Sequence, residues 1–344
     1  MDSDERREFA ISIQTDAHCD VAVVGGGIAG VFAALAAARA GAETVLVEQH
    51  GFVGGQGTAG GVHTFCGETR LVNDAWREML ARLDAFGAIA PYRPNADGRA
   101  FSSEYLKFVL QEMLAEAGVR VLLHTHFVEL ERAGDQVAAL VLFNKSGCFR
   151  LTCRQAIDAS GDADLVARGG WGYDKGGPAL LPGGRGIDRS AGAKQLPMSQ
   201  YFSMLNVRKP ARAHLPPGCP EWAGDEQVPM TSISGDENAI VIKMKVIGYD
   251  ATDGFSLAAA EQAARRQMMG LVYHLQTKGY HGNRYETFRL LAAAPHIGVR
   301  EGRRARTKSP LRAEDVLRGG RFTDAVAVGS YHIDYHWPTV VQRA

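Results

Sequence analysis

The first twenty residues of this 344-residue chain lack the uncharged apolar core of a secretory signal, because acidic and basic side chains are mixed along them. We therefore expect no cleaved secretory leader. Charge is absent from residues 21–38. That stretch nevertheless contains several glycines and is shorter than the roughly 20 apolar residues that a membrane helix needs. We expect no membrane span and no membrane partner.

Cysteine is scarce and odd in number, with residues at Cys19, Cys66, Cys148, Cys153 and Cys219. No two of them form a Cys-x-x-Cys motif, so we expect no metal site and no dithiol pair. Free thiols in a reducing compartment are the simplest interpretation, which favours the cytoplasm. Net charge is also lacking, because Lys plus Arg and Asp plus Glu number 38 each. We therefore expect no nucleic-acid partner.

The most informative pattern that is present occupies residues 21–61. It reads as an apolar strand, a glycine turn, an alanine-rich helix, a second strand and an acid. Gly25 permits a sharp turn, and Gly27 has no side chain where backbone amides would approach a pyrophosphate. Gly30 lets the helix pack close to the strand. This order predicts a βαβ unit that binds a dinucleotide.

The helix of this unit is predicted over residues 28–40, and Ile28 and Ala29 open it. Its N-terminus stabilises an anion through free N–H groups and a partial positive charge. Glu48, followed by Gln49, ends the second strand 18 residues after Gly30. That is near the offset of about 20 expected for an acid that binds ribose hydroxyls, and an acid there disfavours NADP. The alternative is a glycine turn that only packs a βαβ unit.

Several later elements are also legible. Short strands over 127–131, 137–143 and 148–153 predict a β-meander, and another strand is predicted over 155–160. Residues 257–278 predict a long helix, with the preceding Ser256 as its cap.

Further motifs, together with the glycine turn and the meander, carry a resemblance to a known family. They lie at residues 101–107, 157–164, 196–199, 298–304 and 329–336. The chain resembles the glutathione-reductase-like flavoproteins, and within them the broad FAD-dependent oxidoreductase family. The resemblance implies an α/β fold with a glutathione-reductase-like FAD-binding Rossmann domain and β-meander, plus a mixed α+β substrate domain.

The resemblance also implies domain boundaries. Residues 1–18 would be a flexible leader and 19–170 the FAD-binding domain. Residues 171–297 would form the substrate or cap domain, entered through a Gly- and Pro-rich stretch at 176–197. Residues 298–344 would return to the FAD domain and leave its C-terminus incomplete.

FAD is the cofactor that the resemblance implies, and its contacts fall on small residues and backbone. The pyrophosphate and ribityl chain would be held by Gly25, Gly27, Ile28, Ala29, Gly30, Gly54, Gly55 and Gln56. The adenosine end would be held by Glu48, Gln49, Val128, Ala159 and Gly161.

Three polar residues near the end of the sequence are candidates for the chemistry. His332, Asp334 and His336 alternate, so a strand would place all three on one face. They could abstract a proton or anchor a substrate beside the flavin. A metal site or an ordinary hydrogen-bonded cluster are the alternatives.

The basic run at residues 300–306 supplies a fourth candidate, Arg300. This run could bind a substrate carboxylate or face a partner chain, or its arginines could form ordinary ion pairs at a domain joint. His63 and Cys66 follow the second glycine pair into the expected flavin region. A redox thiol there competes with simple packing.

Only eight residues follow His336, whereas members of the family usually continue into a strand and a long helix under the flavin. We expect a truncated chain, a partner chain that completes the FAD site, or a remodelled site. The expected function is an FAD-dependent oxidoreductase that removes hydride from a small organic substrate. The alternatives are an FAD-binding or assembly subunit active only with a partner, and a flavin-dependent RNA-modifying protein.

Overall fold

The computed structural model describes residues 12–13, 16–67, 69, 73–91, 99–177, 179–180, 187–188, 195–223, 228, 230–233, 236–329, 331 and 333. The candidates His332, Asp334 and His336 lie outside the described residues. Among the described helices, none combines the length and the apolar character that crossing a membrane requires.

The strands, in chain order, are β1 (Asp16–Val24), β2 (Thr44–Val47), β3 (Thr64–Phe65), β4 (Ile89–Pro91), β5 (Arg99–Phe101), β6 (Arg120–Leu122), β7 (His126–Ala133), β8 (Gln136–Asn144), β9 (Gly147–Asp158), β10 (Tyr173–Lys175), β11 (Ala179–Leu180), β12 (Ile187–Asp188), β13 (Met198–Asn206), β14 (Met230–Ile233), β15 (Asp236–Val246), β16 (Phe288–Ala293) and β17 (Arg303–Ala305). The α-helices are α1 (Ile28–Arg39), α2 (Asp74–Ala85), α3 (Ser103–Glu116), α4 (Asp164–Arg168), α5 (Gly254–Thr277) and α6 (Ala313–Leu317), with a 3-10 turn at Gly55–Gly57.

A six-stranded sheet of order β6-β2-β1-β9-β8-β7 organises the N-terminal half. The first four strands are parallel, and β8 and β7 continue them as an antiparallel meander. Every residue of β2 is buried, as expected for a parallel strand covered on both faces. The arrangement confirms the predicted α/β fold.

Helices α1, α2 and α3 pack on one face of this sheet and share one apolar core. The 3.6-residue period of α3 explains its place in that core, because it turns one stripe of side chains inward. The buried members of the stripe are Leu106, Val109, Leu110, Met113 and Leu114.

A second, antiparallel sheet of order β14-β15-β13-β16 carries α5 on one face. Alternation along β13 turns Met198, Phe202 and Met204 toward α5. Ser199 and Tyr201 therefore lie on the opposite face of the sheet. Tyr201 contacts the N-terminal half there, because its ring packs on His63. The second sheet thus presents the face that carries Ser199 and Tyr201, its polar face, to the N-terminal half.

Two predicted elements needed correction. Residues 148–153 and 155–160 are predicted as separate strands, but a single strand, β9, joins them and ends at Asp158. It pairs with β8 over residues 147–152 and, along its other edge, with β1 over residues 150–158, so the two ladders overlap. Helix α5 begins before the predicted residue 257. Asp253 caps it by accepting a hydrogen bond from the backbone N of Ser256 at 2.7 Å, so the predicted cap lies within the first turn.

Candidate functional site

Two glycines of the β1–α1 turn are required by the packing of the protein itself. Gly25 has φ +103°, and a Cβ there would overlap the carbonyl oxygen of Ala159. A Cβ on Gly30 would overlap the carbonyl oxygen of Gly25. Both residues therefore bring the turn, the helix and the end of β9 close together, as the spacing predicted.

Gly27 is different, because the protein leaves space around it. Its φ is −66°, and the nearest atom to an added Cβ, 3.8 Å away, would be the Cα of Gly55. An alanine at this position would therefore be compatible with this fold. The open space lies at the N-terminus of the 12-residue α1, where an anion is stabilised. The packing of the protein itself therefore does not require a glycine at this position.

A second glycine pair completes this space. The backbone N of Gly54 donates to the carbonyl oxygen of Gly26 at 2.7 Å. Gly55 has φ +51°, and a Cβ on it would lie 2.7 Å from the Cα of Gly27. We call Gly25, Gly27, Gly30, Gly54 and Gly55 the glycine cradle. Its walls are backbone, which suits a cofactor bound by N–H groups.

Glu48 is buried beside the cradle and is 5% exposed. Its Oε2 accepts from the backbone N of Gly26 at 2.7 Å, and its Oε1 accepts from the backbone N of His50 at 2.8 Å. Each carboxylate oxygen retains a further lone pair. Glu48 can therefore hold the turn and also accept a bond from a ribose hydroxyl. Gln49, which follows it, is exposed.

Further histidines lie near His50, two residues after Glu48, and no periodicity of the sequence predicted this group. His50 stacks on Phe52 and meets His296 edge to face at 5.6 Å. Burial lowers the pKa of His50, Glu48 opposes the shift, and His296, His126 and His124 add to it. His50 is therefore held toward its neutral form.

The remaining predicted adenosine residues lie at the ends of β7 and β9. Val128 lies at an irregularity of the β7–β8 ladder, between Phe127 and Glu129, and it is partly exposed. Ala159 donates its backbone N–H to the carbonyl oxygen of Val24. Gly161 has φ +86°. The turn after β9 therefore lies directly beside the β1–α1 turn, whereas Val128 belongs to the meander.

A cavity of about 250 Å³ adjoins the cradle. Gln56 follows Gly55 directly and donates from Nε2 to the carbonyl oxygen of Val299 at 3.1 Å. It thereby joins the cradle to the loop that carries Arg300. The lining residues are Gln56, Val62, Leu196, Ser199, Tyr201, Gly298, Val299 and Arg300.

The arginines of the basic run have separate environments. Arg303 pairs with Asp164, Arg304 with Glu301 and Arg306 with Asp174. Arg300 instead donates from Nε and Nη2 to the hydroxyl of Ser199, at 3.1 and 2.8 Å. Within the described ranges it forms no ion pair. The sequence could not separate these roles.

His63 is a neutral imidazole in this region. Burial lowers its pKa to about 4, a hydrogen bond with the backbone of Gly61 opposes the shift, and Lys243 adds to it. Its ring meets Tyr201 edge to face at 6.1 Å. Cys66 is exposed, with its Sγ 3.7 Å from Thr64 Oγ1. In the part of the chain that is described, no three His, Cys, Asp or Glu side chains are grouped as a metal site requires.

Comparison with known proteins gives one family match and several structural ones. A family model described as FAD dependent oxidoreductase matches residues 20–343. No curated protein matches the chain. The match to p-nitrophenol 4-monooxygenase PnpA from Pseudomonas putida DLL-E4 has a TM-score of 0.52 and 13% identity, and covers 84% of this chain and 69% of that one.

Two further solved structures have the same fold. The myxobacterial chondrochloren halogenase CndH has a TM-score of 0.51 and 14% identity, with 83% of this chain and 64% of that chain covered. The anhydrotetracycline hydroxylase OxyS from Streptomyces rimosus has a TM-score of 0.50 and 11% identity, with 85% and 55% covered. The chain thus spans less than two thirds of the length of these two proteins. At such identities the likeness shows the fold alone.

Proposed function

Since this chain belongs to the FAD-dependent oxidoreductase family, whose model matches residues 20–343, we propose that it removes hydride from a small organic substrate. FAD is its cofactor. The observation that carries the proposal is the position of the 250 Å³ cavity, because Gln56 connects it to the glycine cradle. A cavity of this size takes a small molecule rather than a polymer.

The cradle would hold the pyrophosphate, with Gly27 leaving the room and the N-terminus of α1, at Ile28 and Ala29, supplying the N–H groups. Glu48 would accept a hydrogen bond from the adenosine ribose, and the exposed Gln49 would lie beside it. The backbone of Val128 would face the adenine. Ala159 and Gly161 would close the adenosine side. Support comes from the open space at Gly27 and the unused lone pairs of Glu48.

Bound FAD supplies an electron acceptor for hydride. The residues of this chain bind and orient the substrate. Val62 and Leu196 give the cavity an apolar part for the carbon skeleton, and Gln56 and Arg300 give it polar groups that fix orientation. Positioning of this kind supplies much of the rate in reactions that need little covalent help from the protein.

A proton acceptor for the reaction is proposed from the sequence. We assign it to the group His332, Asp334 and His336, which lies outside the described residues. His63 is a poor alternative, because a base with a pKa of about 4 accepts a proton weakly at neutral pH. Replacement of His336 by alanine should slow turnover more than it lowers flavin content. Equal losses of both would make His336 a structural residue.

Anaerobic flavin reduction tests the reaction class. The FAD-loaded protein is mixed without oxygen with small alcohols, amines and hydroxy acids, and the absorbance of oxidised flavin is followed. We expect at least one compound to bleach the flavin, and its α-deuterated form to do so more slowly. If instead only a reduced nicotinamide bleaches the flavin, and oxygen is then incorporated into the organic compound, hydride removal is wrong.

A second candidate is an FAD-binding subunit completed by a partner chain. It is supported by the exposed apolar side chains of the described segment 308–329, among them Leu311, Leu317, Val326 and Val328. Flavin content should then rise when the chain is co-expressed with the product of the neighbouring reading frame. An equal flavin content with and without that product contradicts this candidate.

The five free cysteines support a cytoplasmic location.

A further inference from the structure

Arg300 differs from the other arginines of its run in what its guanidinium binds. Three neighbours at 303, 304 and 306 neutralise carboxylates. Arg300 faces a neutral hydroxyl, and within the described ranges its charge has no acidic partner. A half-buried guanidinium beside a cavity is costly unless an anion pairs with it. The cavity is therefore where such an anion would bind.

Ser199 fixes the orientation of this guanidinium. Its side chain is buried, and its backbone exchanges two hydrogen bonds with Gly298, at 2.9 and 2.7 Å. The Ser199 hydroxyl accepts hydrogen bonds from the N–H of Arg300 Nε and from one N–H of its Nη2. A guanidinium carries five N–H groups, so both N–H groups of Nη1 and one of Nη2 remain. The end of the fork is thus left for a planar, two-oxygen acceptor.

The sheet face beside Arg300 adds positive charge. Lys245 lies opposite Ser199 in the β13–β15 register, and Lys243 lies opposite Tyr201. Directly opposed residues of antiparallel strands share a face, so both lysines lie on the face that carries Ser199. The charge of Lys243 acts on His63, whose pKa it helps to lower, and the His63 ring meets the ring of the cavity residue Tyr201.

Negative charge is missing from the cavity wall. None of its eight described lining residues is acidic. The nearest acid in sequence, Glu301, is already engaged: it accepts from the backbone N of Leu196 and pairs with Arg304. The cavity therefore has a cationic end at Arg300 and an apolar part at Val62 and Leu196.

We propose that the substrate carries a carboxylate and that Arg300 binds it end-on, with Ser199 as the positioning residue. This inference rests on the proposed function, because it names the substrate class of the same cavity. The carbon skeleton of the substrate lies against Val62 and Leu196. The second-sheet lysines supply a field that favours an anion over a neutral compound.

Calorimetric titration of the FAD-loaded protein tests the carboxylate site without turnover. The probes are benzoate and its neutral analogue benzamide. We expect benzoate to bind at least about tenfold more tightly than benzamide, as charge-assisted hydrogen bonds imply. Arg300→Met should weaken the binding of benzoate by about tenfold or more and leave the binding of benzamide unchanged. Arg300→Lys keeps the positive charge but loses the planar guanidinium with its paired N–H groups, so it should bind benzoate with intermediate affinity.

Arg306→Met is the matched control, because Arg306 pairs with Asp174 on the exposed surface. It should leave benzoate binding unchanged. Equal affinities for the two probes, or benzoate binding that survives Arg300→Met, would overturn the proposal. So would an Arg300→Met variant whose flavin affinity or reduction potential changes while its benzoate affinity does not, because Arg300 would then serve the cofactor.

The two proposals fail in different ways. If carboxylates bind through Arg300 but none of the compounds reduces the flavin, the anion site stands and hydride removal fails. If a neutral compound reduces the flavin while benzoate does not bind, hydride removal stands and the carboxylate site fails.

Discussion

Arg303 donates from Nη1 to the carboxylate of Asp164 at 2.9 Å, and the same nitrogen donates to the carbonyl oxygen of Asp162 at 3.1 Å. Its Nη2 donates to the carbonyl oxygen of Thr252. Asp164 follows β9, the last parallel strand of the first sheet. Thr252 precedes α5, the helix that packs on the second sheet. One guanidinium thus ties the turn after β9 to the loop that precedes α5.

Arg303→Met should therefore destabilise the protein more than loss of a surface arginine does. The side chain is 16% exposed, and its removal leaves a carboxylate and two carbonyls without their donor. For Arg303→Met we expect a loss of about 2–3 kcal/mol in the free energy of unfolding, and for Arg306→Met a clearly smaller loss. Urea denaturation of both variants measures this, and equal losses would show that Arg303 is only a surface residue.

Glu48→Ala should weaken FAD retention and also loosen the β1–α1 turn. The substitution leaves the backbone N–H groups of Gly26 and His50 without their acceptor, at a cost of about 2 kcal/mol or more. Glu48→Gln keeps one oxygen acceptor, so its flavin content and its stability should lie between those of the parent and of Glu48→Ala. Flavin content after gel filtration and thermal unfolding are the measurements. Unchanged flavin content in Glu48→Ala would show that the ribose lies elsewhere.

Asp162 should make the protein less stable as the pH rises from about 4 to about 6. Burial raises the pKa of its carboxyl from 3.8 to about 6, with Asp164 adding to the shift and Arg303 opposing it. In that window the folded protein keeps a proton that the unfolded chain releases, so stability falls with rising pH. Asp162→Asn should therefore stabilise the protein by up to about 3 kcal/mol at pH 8, but little at pH 4. An equal effect at both values would contradict the raised pKa.

His63 should have the opposite dependence. Its pKa is lowered to about 4 by burial, so the unfolded chain takes up a proton before the folded protein does. Stability from His63 is complete above about pH 6.5 and is lost as the pH falls toward 4. His63→Gln should reduce this acid sensitivity by about 2 kcal/mol. Unfolding curves at pH 4.5 and 7.5 compare the two proteins, and a variant as acid-sensitive as the parent would refute the shift.

Local patterns predicted the parts of the molecule that local chemistry controls. The spacing of Gly25, Gly27 and Gly30 predicted the turn, because each glycine is needed within a few residues of the next. The 3.6-residue period predicted the buried stripe of α3. The acid at Glu48 was predicted from its offset, and the structure places it beside that turn.

Contacts between distant residues were not predictable in this way. Arg300 and Ser199 are 101 positions apart, and no periodicity connects them. His63 meets Tyr201 only because the polar face of the second sheet packs against the N-terminal half. The length of β9 was misjudged for a related reason. Arg154 interrupts the apolar pattern, yet it remains in the strand with its charge exposed beside Asp20.

FAD binding by Gly27→Ala tests the cradle most directly. An added Cβ meets no protein atom closer than 3.8 Å, so the unfolding temperature of the cofactor-free protein should stay the same. The Cβ would occupy the space proposed for the pyrophosphate, and the dissociation constant for FAD should rise by about tenfold or more. Gly254→Ala, at an open helix start, is the control and should change neither quantity. A Gly27→Ala protein that binds FAD as tightly as the parent would contradict the cradle.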